Sequence, residues 1–260
     1  MSSGIDVIKS MAPVPAAIED DWAWMRAHTP ARIALGRTGV SLPTREVLAL
    51  GLAHAHARDA VFSGFDTERL SDELADLGHD AITVGSRAEG RAAYIVNPDL
   101  GRRLNPEDLP LLAAAAGCDV VFVIGDGLSP LAVQSHAAAI LAALGPSLAG
   151  LKVGPVVLAR QARVALSDEI GALLSAKVAV MLIGERPGLS SHDSVGIYLT
   201  YGPKVGNTDE ARNCISNIRP GGLNFADAAS EFGRILHAAL AAKRSGVALA
   251  ADPSLLDHRD

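Results

Sequence analysis

Residues able to do chemistry gather in a few short stretches. Gly184-Glu185-Arg186-Pro187-Gly188 follows Lys177 to Ile183, a run too apolar to be anything but buried. Glu185 and Arg186 therefore stand at the carboxyl end of a predicted strand, where a carboxylate can accept hydrogen bonds from ligand amides or hydroxyls. The competing reading is an internal pairing of Glu185 with Arg186 or with its own loop. Arg212-Asn213-Cys214-Ile215-Ser216-Asn217-Ile218-Arg219 is the densest polar cluster, offering amide, hydroxyl, thiol and guanidinium groups in what reads as one loop. No histidine lies near Cys214 in sequence, so a packing or ligand-contacting thiol is favoured over a nucleophile. Pro98-Asp99-Leu100-Gly101-Arg102-Arg103-Leu104 sets two adjacent arginines on a turn. They could clamp a carboxylate or phosphate, or pair locally with Asp99.

Several chemistries are absent. Gly125-Asp126-Gly127-Leu128-Ser129-Pro130 approaches the dinucleotide fingerprint, but proline takes the place of the third glycine, and Asp126 puts negative charge where a pyrophosphate would sit. No glycine-rich phosphate loop with its lysine occurs, nor a G-x-S-x-G elbow. The histidines form no helical metal pair with an intervening glutamate, and the two cysteines, Cys118 and Cys214, suggest neither a disulfide framework nor a thiolate metal site. A formal charge of −6 provides no basic field for nucleic acid or an anionic membrane. No secretory pattern or membrane-length apolar run is evident, so a soluble intracellular protein is expected.

The elements that must position these groups are read from periodicity. At 260 residues and 49% hydrophobic, the chain can bury a substantial core. The first fourteen residues read as a mobile end or docking arm. Helices are predicted over 16–28, after Pro43 with Thr44 as N-cap and on to about Arg58, and from Thr67 to Leu77. This makes residues 1–90 an arm with a helical extension. After Arg91 apolar β-type runs alternate with helical stretches. Strands are expected at Ala92–Val96, Asp119–Ile124, Val153–Ala159, Lys177–Ile183 and Ser194–Tyr201. Helices are expected at Pro106–Ala116, from Pro130 to Leu144 with Ser129 as N-cap, from Ser167 to Ser175, and from Phe225 to Lys243. The alternation predicts an α/β, doubly wound, mostly parallel sheet over 91–260, with ligand-binding loops at the strands' carboxyl ends.

Five of these segments, in order, resemble the small subunit of ethanolamine ammonia-lyase, an adenosylcobalamin-dependent enzyme. They are Pro98 to Leu104, Asp126-Gly127-Leu128-Ser129, Gly184-Glu185-Arg186-Pro187-Gly188-Leu189, Tyr198-Leu199-Thr200-Tyr201-Gly202-Pro203, and Arg212 to Ile218. The resemblance runs from about Ala31 to the last helix. It implies a Rossmann-like fold with N-terminal helices and a division of labour between two chains. A catalytic large subunit holds ethanolamine and the radical chemistry, giving acetaldehyde and ammonia. The small chain helps bind the cofactor at the interface, in an assembly of six large and six small chains, and owns no catalytic residue. The family's cobalamin contacts fall here on Val164, Glu185 and Cys214. Arg160-Gln161-Ala162 stands where relatives carry Arg-Tyr-Gly, and Ala165 where lysine is common, so contacts by those side chains are not carried over, whereas Val164 can still contribute backbone groups and apolar contact. No histidine has aspartate two residues before it, so the D-x-H-x-x-G pattern that displaces cobalamin's lower base is missing. Two placements stay open, the cytoplasm at large and the interior of a bacterial microcompartment. Two rivals do too: an interaction protein that docks to a large partner without binding a cofactor, and a nucleotide-dependent oxidoreductase.

Overall fold

Val120 to Ile124 can be apolar without a break because both faces of their strand are covered, as parallel sheets require. In the computed structural model, which describes residues 17–113 and 117–251, the elements in chain order are α1 (Thr44–Phe62), α2 (Thr67–Asp76), β1 (Ala81–Gly85), α3 (Arg91–Val96), α4 (Leu109–Ala113), β2 (Cys118–Gly125), α5 (Pro130–Leu144), β3 (Val156–Arg160), α6 (Leu166–Leu173), β4 (Ala176–Gly184), β5 (Val195–Tyr201), β6 (Arg212–Ile218), α7 (Phe225–Ala242) and α8 (Val247–Ala250). The chain divides into two compact units, Met1–His56 and Ala57–Asp260. The expected mobile or docking arm of the first fourteen residues lies outside the described residues.

In the first unit, Ile18 and Arg37 exchange backbone hydrogen bonds of 2.8 and 3.0 Å, and a short 3-10 turn occupies Ala23–Ala27. Only this turn forms within the described part of the helix expected over 16–28. Thr44 is the first helical residue of α1 rather than its cap.

The second unit is an α/β sheet of six strands in the order β1-β3-β2-β4-β5-β6. The pairs β1–β3, β3–β2 and β2–β4 are parallel, whereas β4–β5 and β5–β6 are antiparallel. The sheet is therefore mixed, with β5 alone running against the others. Alternate residues divide the core. Phe122 and Leu182 join α5 and α7 on one face, with the Phe122 and Phe232 rings 6.1 Å apart, while Val123, Val157 and Met181 join Leu166 and Ile170 of α6 on the other. Each such buried side chain contributes about 1.5–3 kcal/mol. Pro130–Leu148 is apolar and long enough to cross a membrane by composition alone, yet Val133, Ile140, Leu141, Leu144 and Leu148 pack into this core.

The connection from β2 through α5 to β3 runs over one face and that from β3 through α6 to β4 over the other. Their loops part at the carboxyl ends of β2 and β3, opening a crevice there. The turn into α5 forms as expected: the Ser129 hydroxyl accepts the Ala132 N–H at 3.2 Å, and Pro130 opens the helix. Gly127, at φ +56°, brings this turn against the end of β4. Leu128 N donates to the Gly184 carbonyl at 2.9 Å, and a Cβ on Gly127 would collide with that carbonyl.

Four expectations are corrected. Ala92–Val96 is helical, because Tyr94 drops into the core beside the sheet instead of extending along it. The strand in that region is the earlier Ala81–Gly85. Arg212–Ile218 is an edge strand, not a loop. Ser167 does not cap α6; the helix starts at Leu166, and the Ser167 hydroxyl donates to the Val164 carbonyl at 2.8 Å. The helix expected over Pro106–Ala116 is a 3-10 turn followed by α4, and residues 114–116 lie outside the described residues.

Candidate functional site

The crevice is fastened by Asp126. Its buried carboxylate accepts the backbone N–H groups of Gln161 and Ala162, both at 2.9 Å, so the turn after β2 grips the loop after β3. Arg91 Nη1 lies 3.6 Å from the same carboxylate and donates to the Gly127 carbonyl at 2.7 Å. Burial raises the Asp126 pKa to about 6 against the pull of those donors. The position where a dinucleotide would rest its pyrophosphate is thus filled by a carboxylate serving the backbone.

Beside it stands Tyr94, a ring approached by two guanidiniums. The Tyr94 ring is fully buried, with the Arg91 guanidinium 4.9 Å from its centroid and that of Arg163 4.2 Å from it. The Tyr94 hydroxyl donates to the Ala162 carbonyl at 2.9 Å, and burial raises its pKa, keeping it a neutral donor. Arg163 is anchored by its own N–H to the Gly101 carbonyl at 2.8 Å and by Nη2 to the Tyr94 carbonyl at 3.3 Å. Gly101 of the Pro98–Leu104 motif is small because a Cβ there would come within 2.9 Å of the Tyr94 ring and 2.8 Å of Arg163 Cγ. The neighbouring arginines pair within the chain: Arg103 makes a two-pronged bridge to Glu169 at 3.0 and 3.1 Å, and Arg102 approaches Asp99 at 3.8 Å.

Glu185 follows the last residue of β4. One carboxylate oxygen, Oε2, accepts the Ser194 hydroxyl at 2.5 Å and the Asn217 N–H at 3.1 Å. Half of the expected internal pairing is therefore real, although its partners are Ser194 and Asn217 and not Arg186. Oε1 lies over Gly196, where a Cβ would sit 3.0 Å from it and 3.2 Å from the Tyr198 ring. Cys214 stands opposite Tyr198 across the β5–β6 pair, exposed on the edge strand. Partial desolvation of its sulfur raises the thiol pKa, a hydrogen bond from Tyr198 opposes this, and the Glu185 charge adds to the rise.

Tyr94, Arg163, Glu185 and Tyr198 share the lining of a cavity of ≈ 430 Å³. Tyr94 comes from α3, Arg163 and Val164 from the loop after β3, Gly127 and Leu128 from the turn after β2, Ile183 and Gly184 from β4, Glu185 and Arg186 from the loop that follows it, and Tyr198 from β5. Val164 and Glu185 thus line one cavity, and Cys214 reaches it through Tyr198. Tyr94, Arg163 and Tyr198 escaped the sequence reading as site residues. Tyr198 could have been found only by recognising Arg212–Ile218 as a strand paired with it. Arg212, in the same motif as Cys214, is structural: it is buried and holds Asp168 of α6 at 2.7 and 2.9 Å. A second cavity, ≈ 580 Å³, lies at the ends of β1 and β3 around Ser86, Arg87 and Gln161. Among the described residues no group of His, Cys, Asp and Glu is assembled that could hold a metal ion.

Fold and cavity define an α/β protein with a candidate ligand-binding site across the carboxyl ends of its strands. Residues 19–250 match the family model of the ethanolamine ammonia-lyase light chain (EutC). The sequence is 53% identical over 235 residues to the ethanolamine ammonia-lyase small subunit of Rhodopseudomonas palustris, covering 89% of this chain and 90% of that protein. It is 50% identical over 237 residues to the small subunit of the same name from Xanthomonas campestris, covering 88% and 87%, and 49% identical over 253 residues to that of Ralstonia nicotianae, covering 94% of both. The chain belongs to the ethanolamine ammonia-lyase light-chain family.

Proposed function

We propose that this chain is the small subunit of an adenosylcobalamin-dependent ethanolamine ammonia-lyase, and that it helps hold the periphery of the cobalamin where it meets a catalytic large subunit. The observation that carries the reading is that Val164 and Glu185, far apart in sequence, line one cavity, with Cys214 joined to it through Tyr198. The chemistry of the walls fits the group. A corrin edge carries amide side chains on apolar stems. Glu185 Oε1 accepts from amide N–H groups, Val164 offers backbone and apolar contact, and Tyr198 with Cys214 gives a soft, weakly polar floor. A space of ≈ 430 Å³ suits the edge of such a cofactor, with the remainder left to the partner chain.

Adenosylcobalamin, when bound, supplies a 5′-deoxyadenosyl radical for the conversion of ethanolamine to acetaldehyde and ammonia. The residues of this chain supply position: Asp126 fixes the loop that carries Val164, and Ser194 and Asn217 fix Glu185. The reading includes a Rossmann-like use of the sheet's carboxyl edge and an assembly of six large and six small chains.

The test is ammonia release from ethanolamine by the cognate large subunit and adenosylcobalamin, with this chain present or omitted. Dependence on the chain supports the reading, and full activity without it contradicts the subunit role.

A second reading, a docking protein without a cofactor, is favoured by one observation. Trp22, Trp24, Val40, Leu48 and Leu52 are exposed, with relative accessibilities from 59% to 106%. The two readings separate on Glu185: pure docking predicts that Glu185→Ala leaves corrin affinity unchanged.

A further inference from the structure

Among the cavity's described lining residues, Arg163 is the one with a buried side-chain polar atom that lacks a hydrogen-bond partner. Its backbone N–H and Nη2 are engaged and its guanidinium rests on Tyr94, yet its Nε is buried with no hydrogen-bond partner among the described residues. That Nε is closed to a cavity ligand, but Nη1 of the same planar fork makes no hydrogen bond among the described residues and is the donor left for a ligand carbonyl. The same cavity holds Glu185, which offers only acceptors, while Leu128, Val164 and Ile183 provide the apolar wall.

We infer that Arg163, held rigid against Tyr94, is a further binding residue, and that with Glu185 it selects neutral primary carboxamides. A carboxamide presents a carbonyl to a guanidinium and an N–H to a carboxylate at once. A carboxylate in its place would satisfy Arg163 and be repelled by Glu185, and an ammonium would do the reverse. Amides carried on apolar stems match the whole wall. The inference rests on the reading that cobalamin's amide-bearing edge enters this cavity.

The test uses the assembled two-chain complex and spectral titration with cyanocobalamin and with its monocarboxylic acids, in each of which one amide is hydrolysed. Arg163→Met is expected to weaken cyanocobalamin binding about ten- to a hundredfold, the worth of a charge-assisted hydrogen bond. Arg163→Lys, which keeps the charge but not the planar fork, is expected to be intermediate. The monoacids are expected to differ: the isomer whose carboxylate replaces the amide held between Arg163 and Glu185 binds the wild type weakly and recovers in Glu185→Gln, whereas isomers hydrolysed elsewhere follow cyanocobalamin. Equal affinity of wild type and Arg163→Met for cyanocobalamin, or monoacids indifferent to both substitutions, overturns the inference while leaving the cobalamin reading standing. Failure of both Arg163 variants to assemble also overturns it, by making the residue structural. A wild-type complex that does not bind cyanocobalamin overturns the reading beneath it as well.

Discussion

Tyr198 and Cys214 are cross-strand partners on β5 and β6, which sets the thiol beside the tyrosine that lines the cavity. The contact opposes the rise that desolvation and the nearby Glu185 charge impose on the thiol. Cys214 is therefore a neutral thiol at neutral pH, able to pack against a ligand and poorly suited to nucleophilic attack.

Alkylation of the free chain with iodoacetamide checks this. Cys214 is expected to react more slowly at pH 7.5 than an unperturbed cysteine and to accelerate only at higher pH. Tyr198→Phe removes the interaction that favours thiolate, so its pH–rate profile is expected to move further up. A downward move would contradict the assignment.

Asp126 makes stability depend on pH in an unusual direction for a carboxylate. Its folded pKa, about 6, exceeds the usual aspartate value of about 3.9, so the native state binds the proton more tightly than the unfolded state. Its contribution is fully present below about pH 4 and is lost as pH rises through about 6, amounting to about 3 kcal/mol over the window. Asp126→Asn is expected to abolish this slope in urea unfolding between pH 4 and 7. It should also lower stability by about 1–3 kcal/mol at pH 4, because an amide has one acceptor for the two backbone donors of Gln161 and Ala162. An unchanged slope would place the titration elsewhere.

Arg212 and Asp168 form a fully enclosed pair that ties the edge strand to α6. Arg212→Met alone is expected to cost about 3–5 kcal/mol by leaving the carboxylate buried without its cation. Arg212→Met with Asp168→Leu is expected to recover most of the loss. Additive losses in the double variant would show that the pair is not coupled.

The parts of this architecture that depend on local chemistry were legible. Ser129 and Pro130 open α5 where the cap and proline rules put them, and the buried strands announce themselves through apolar runs. The edge strand did not, because only Arg212, Ile215 and Ile218 of Arg212–Ile218 are buried and the rest of its residues read as a polar loop. Tyr94, Ile95 and Val96 have strand-like side chains, yet a short helix prevails, burying Tyr94 in contact with Arg91 and Arg163. Glu185 was visible as a candidate from its place after an apolar run. Its meeting with Val164 depends on strand order, which periodicity does not encode, and in the sequence only the family resemblance groups the two with Cys214.

The most direct test of cofactor holding is the dependence of ammonia release on adenosylcobalamin concentration, with wild-type chain and with Glu185→Ala, each assembled with the large subunit. Loss of a charged hydrogen-bond acceptor at the cofactor's edge predicts an apparent KM for adenosylcobalamin raised about tenfold or more, with kcat changed little. An unchanged KM in a fully assembled Glu185→Ala complex would contradict the claim that this cavity holds the cofactor.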